Sequence, residues 1–103
     1  MERMKARITV LKCMDNQRIQ EEQRIGGHAG PCDAFEVGQT FDAGWQAPEG
    51  FCSFAWADIF NGLMMIQCGG SPDYIGPDHT MISCCRDGLC PVVFKIERLD
   101  QAC

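Results

Sequence analysis

The sequence has no apolar run long enough to span a bilayer. Its longest, from Phe51 to Gly70, is broken by Asp58, Asn61 and Gly62. It also lacks the apolar core of a signal peptide, because the N-terminal MERMKARITVLK is interrupted by charges. Both gaps lead to the expectation of a soluble, cytoplasmic protein with no membrane partner. Basic residues are few, 9 Lys and Arg against 14 Asp and Glu, for a net charge of -5. With no basic stripe, binding to nucleic-acid phosphates is not expected. No Cys-x-x-Cys pair occurs, which removes the strongest sequence mark of zinc ribbons and thioredoxin-like redox centres. Gly-x-Ser-x-Gly and His-Glu-x-x-His are missing as well. The pairs Gly26-Gly27 and Gly69-Gly70 lack the strand-to-helix setting of a phosphate loop. Internal repeats and low-complexity tracts are absent.

What is present is a chain of 103 residues, the size of one domain (1–103) with a modest core. Hydrophobic residues make up 46% and charged residues 22%, an ordinary globular balance. Eight cysteines stand out. In a secreted chain they would suggest a disulfide scaffold; without an export signal they point to thiols, metal ligands or a redox role.

Residues 6–12 alternate and are β-branched, which predicts a strand with Ile8 and Val10 on one face. Asp15 is placed to cap a polar surface helix over NQRIQEEQRI, with Ile19 and Ile25 its only apolar anchors. Residues 32–43 read as two short extended pieces with Phe35, Val37 and Phe41 inward. From about 51 to 68, Cys52, Trp56, Ile59, Leu63 and Ile66 recur at helical spacing. Phe51, Phe54, Phe60, Met64 and Met65 widen that face until little of the helix is polar. Such a helix is buried on several sides, or buries one side in another copy, so a homo-oligomer is expected. Thr80–Cys85 and Val92–Leu99 read as a hairpin around Arg86-Asp87-Gly88-Leu89. On the first of these strands, Cys84 shares a face with Ile82 and is taken as the inward thiol. The order β-α-β-β-α-β-β predicts an α+β fold: a small, mostly antiparallel sheet with the central helix packed across it.

The segment GFCSFAWADIF resembles a motif, Gly-x-Cys-x-Trp-Ala-Trp-x-Asp-Ile/Leu, that marks a family of small cysteine-containing bacterial and archaeal proteins. Further blocks occur in the same order: ITVLK, Gly30-Pro31-Cys32, Val37-Gly38-Gln39-Thr40-Phe41, Pro48 to Cys52, Cys84 to Gly88, and Pro91 to Arg98. The resemblance implies that Cys32, Cys52 and one of Cys84 or Cys85 are the cysteines at motif positions. It implies no activity. Phe54 replaces the motif's first tryptophan, and Cys90 stands where the family pattern has arginine.

Cys32, Cys52 and Cys84 are far apart in sequence and can meet only through the fold. Three thiolates with a fourth nitrogen or oxygen ligand can hold zinc, and three can hold an iron–sulfur cluster with one iron open. His79 is the chosen fourth ligand, with His28 and Asp58 as other candidates. The expected function is therefore metal or cluster binding for redox or Lewis-acid chemistry on a small molecule. A second expectation is a metal-free enzyme. Its nucleophile would be Cys52, favoured by the helix dipole, and Asp58 or His79 would carry the proton. A third is a non-catalytic small subunit. Each has a plain structural counterpart: reduced cysteines packed as small hydrophobes, a solvated Asp58, and surface histidines.

Overall fold

The computed structural model describes residues 2–103. Four strands and two helices follow one another as β1 (Met4–Cys13), α1 (Gln17–Gln23), β2 (Thr40–Ala43), α2 (Ser53–Gln67), β3 (Thr80–Cys84) and β4 (Val92–Ala102). The strands form one antiparallel sheet in the order β2-β1-β4-β3, and α2 crosses one face of it. This is the expected α+β arrangement, with one strand fewer in the first half. Residues 32–39 do not form an extended piece; they make turns over the core edge, and Gly38, at φ 90, donates its N–H to Val10.

The pleat decides which side chains meet the helix. Ala6, Ile8 and Val10 of β1, Ala43 of β2, and Val92, Phe94 and Ile96 of β4 are buried against Ala55, Ile59, Leu63 and Ile66 of α2. In β1 the ladder slips: Val10 pairs with Phe94, but Lys12 pairs with Val93 and Cys13 with Val92. Leu11 is therefore an extra residue, a β-bulge, and it returns Cys13 to the inward face beside Val92. In β3 the register sets Met81 opposite Ile96 and Ser83 opposite Phe94. Met81 and Ser83 thus face inward, while Ile82 and Cys84 face out and are exposed.

Both ends of α2 have a local cause. Gly50, at φ 79, is the third residue of a turn closed by the Phe51 N–H to the Pro48 carbonyl at 3.1 Å. Phe51, just ahead of the N-cap Cys52, packs edge-on against Trp56 at 6.1 Å, a hydrophobic staple that fixes the entry of the helix. At the far end Gly69, at φ 98, donates to Ile66, and Gly70 donates to Met65, which is a Schellman stop. The 15 residues between span about 22 Å.

The outward face of α2 is uncharged. Phe54 is 84% exposed, and Met64 and Met65 are partly so. Helix α1 is held differently from expectation. Ile19 and Ile25 are exposed, and the buried residue is Gln20. Asn16 rather than Asp15 is its N-cap. The Gln20 amide reaches Asp15, the carbonyls of Gly30 and Leu89, and the Gly30 N–H, so one side chain ties α1 to the two loops that carry Cys32 and Cys90. Among the described residues no helix is long and apolar enough to cross a membrane.

Candidate functional site

The aromatic rings build the floor of the site. Phe35 meets Phe41, Phe51 and Phe94 in edge-to-face contacts at 5.9, 5.1 and 5.2 Å. Such offset contacts add stability beyond area burial. Phe35 holds the loop after Cys32 down on the sheet, and Phe51 holds the residue before Cys52. Two thiols twenty residues apart are brought to one end of the molecule in this way.

At that end lies a cavity of about 370 Å³. Cys32, Cys52, Cys85 and Cys90 line it, with Phe35, Phe54, Ala55 and Val92 supplying apolar wall and Asp58, Arg86 and Asp87 the polar edge. A fifth thiol stands beside it. Burial pushes the Cys13 thiol up, and neighbouring Cys32 and Cys85 add to the rise. Cys13 donates to the Phe35 carbonyl at 3.6 Å. All eight cysteines are free.

Each thiol is placed by a different device. Cys52 is the N-cap of α2. No side chain caps that helix and no acidic residue occupies its first turn, so its positive end is left to the cavity. Cys85 follows β3 in the inward phase of the pleat, and its sulfur accepts the Val92 N–H at 3.3 Å. Cys90 sits in a loop shaped by Asp87, whose Oδ1 accepts the N–H groups of Leu89 and Cys90 at 2.9 and 3.3 Å. The Cys90 thiol donates to Asp87 Oδ2 at 3.6 Å. Burial, then the Asp87 carboxylate, push it up to about 11.

The expected site residues divide. Cys32 and Cys52 come together. Cys84 does not: it is exposed on the opposite face, and Cys85 takes the place assigned to it. His79 is also displaced. Its Nδ1 contacts the Gly70 carbonyl at 3.0 Å, beyond the far end of α2 and a helix length from Cys52. His28 lies on the loop before Cys32, against Pro31 and Asp33. Asp58 lines the cavity, but its carboxylate accepts the Arg86 backbone N–H and Nε–H, and the first of these bonds does most to hold it below the usual carboxylate range. A group held ionised in this way anchors a loop; it does not store a proton. Among the described residues no three His, Cys, Asp or Glu side chains are close enough to hold one metal ion, so the expected zinc set of Cys32, Cys52, Cys84 and His79 does not form. The sequence reading missed Cys90 and Cys13 as members of the cluster. The only sign of Cys90 was its place just after the Asp-Gly turn, and only the bulge turns Cys13 inward.

Comparison with protein-family models, curated proteins and solved structures yields no match for this chain.

Proposed function

We propose that the protein binds an iron–sulfur cluster at this cavity, with Cys32, Cys52 and Cys85 among its ligands, for redox chemistry with a small molecule. The observation that carries this is the donor set: four cysteines from three separate segments line one mostly apolar cavity. A single zinc ion would draw every sulfur to about 2.3 Å from one point. A cluster gives each cysteine an iron of its own and so fits thiols set around a larger space. The hydrogen bond from the Val92 N–H to the Cys85 sulfur and the open positive end of α2 would offset the negative charge of such a group. When bound, the cluster would supply the electron chemistry. The chain's own part is to hold the sulfurs, keep water away with Phe35 and Val92, and latch the loop that carries Cys85 and Cys90. Metal and sulfide analysis of protein purified without oxygen tests this. A coloured, iron-bearing protein is expected, and a colourless, metal-free, fully folded one would end the proposal.

A second reading is a metal-free enzyme with Cys52 as its nucleophile, favoured by the uncapped start of α2. Cys52 would then be alkylated far faster than the other cavity thiols at neutral pH, and uniform rates would exclude it. Eight free thiols support a reducing, cytoplasmic setting for either reading. The uncharged outer face of α2 supports a homo-oligomer or a place in a larger complex. The same cavity agrees with kinship to the small cysteine-containing family, provided that Cys85 rather than Cys84 is the motif thiol.

A further inference from the structure

We propose that Cys90 is the fourth ligand, so that the cluster is closed by four thiolates, with no iron left open for a substrate. This rests on the cluster reading above and changes the chemistry it implies, from catalysis at an open iron to electron transfer.

Cys90 shares the cavity wall with Cys32, Cys52 and Cys85, and it is only 6% exposed. Its position is fixed on both sides. Asp87 accepts its backbone N–H, and Pro91 leads directly into β4, while Gln20 and the Asn16 N–H hold the Leu89 carbonyl beside it. The other thiols fall away by placement. Cys84 is on the open face and Cys103 is exposed at the chain end. Cys68 caps the far end of α2. Cys13 turns its sulfur to the Phe35 carbonyl and is not part of the wall.

Each cysteine would bind as its thiolate and give up one proton, and the one from Cys90 can leave through Asp87, its hydrogen-bond partner. Asp87 is thus a positioning residue, and Cys90 closes the set.

The test is anaerobic reconstitution of the full chain with sulfide and equal amounts of ferric and ferrous iron. Iron content, visible absorption and electron paramagnetic resonance are the readouts. The wild-type chain and Cys84→Ser are expected to bind about four irons each, the content of a Cys₄ cubane cluster. Cys90→Ala is expected to lose one iron on brief oxidation and to show the paramagnetic signal of a three-iron cluster. Cys90→Ser, nearly the same size, guards against a folding defect and should show the same loss. If the Cys90 variants keep full iron and the wild-type spectrum, the fourth-ligand proposal is overturned while the cluster reading stands. If the wild-type chain takes up no iron, the cluster reading itself fails, and this inference with it.

Discussion

Asp58 of α2 accepts both the backbone N–H and the Nε–H of Arg86, at 2.8 and 2.6 Å, and so latches the β3–β4 loop to the central helix. The two partners differ in burial: the Asp58 side chain is 8% exposed and that of Arg86 84%. The bond to the backbone survives loss of the arginine side chain. Asp58→Ala should therefore loosen the loop more than Arg86→Ala does. Amide hydrogen exchange of residues 86–91 reads this directly: faster exchange is expected in Asp58→Ala, with a smaller change in Arg86→Ala. The folded carboxyl lies below its ordinary value of about 3.9. Its contribution is present above that pH and is lost as pH falls through the folded pKa, so the wild-type loop should loosen in acid and the Asp58→Ala loop should not.

Thiol alkylation separates the eight cysteines. With its thiol pushed up to about 11, Cys90 is ionised in only on the order of one molecule in a thousand at pH 8. It should react last, after the exposed Cys84 and Cys103. Asp87→Asn removes the charge that opposes ionisation and should speed Cys90, although the Asp87 carboxylate also shapes the loop. Burial, Cys32 and the nearby Arg24 guanidinium still act on it in that variant. Mass-spectrometric counting of labelled sites gives the rates. The same shift makes stability fall as pH rises from the ordinary thiol value of about 8.5 through the folded one, and Cys90→Ser should flatten that alkaline decline.

Gln20→Ala takes the side-chain partner from the Gly30 N–H and carbonyl and leaves the Leu89 carbonyl with only the Asn16 N–H. A loss of about 1–3 kcal/mol is expected, measured by urea unfolding. Because those loops carry Cys32 and Cys90, both thiols should also alkylate faster in this variant. Unchanged thiol rates would show that the loops hold their shape without the amide.

Ile59 is buried at the centre of the α2 contact with the sheet. Ile59→Ala should cost about 2–5 kcal/mol in the same unfolding assay. Gly62 is a different case. A Cβ there would lie 2.6 Å from Met81 Cε, the far end of a flexible side chain. Gly62→Ala should shift Met81 and gain helix propensity of up to ~1 kcal/mol, for a small net change. The larger Gly62→Leu should push α2 off β3 and lower stability.

The regular elements were legible because their periods are strong. Ile8 and Val10 alternate, and Cys52 to Ile66 repeats at helical spacing, which are the signals that burial of one face imposes. The site was legible only in part. Cys84 was misplaced because Ile82, the most apolar residue of its strand, suggested the wrong inward face. In fact the pairing of Met81 with Ile96 and Ser83 with Phe94 sets the phase, and pairing is a long-range property. Val37 was expected inward yet is 65% exposed, because it sits in the turn between the buried Phe35 and Gly38, whose N–H is tied to Val10. The anchor of α1 was missed since a buried glutamine leaves no mark in a hydrophobic pattern. Cys13 could not be found by alternation, which the bulge interrupts.

That interruption makes Leu11 a spacer in the count of β1. Shortening the chain by Leu11 would keep Lys12 opposite Val93 and leave Cys13 pointing as before. Losing Thr9 would instead put every side chain before the gap on the wrong side of the ribbon. Length variation at this strand should thus be tolerated at one position and ruinous two residues away.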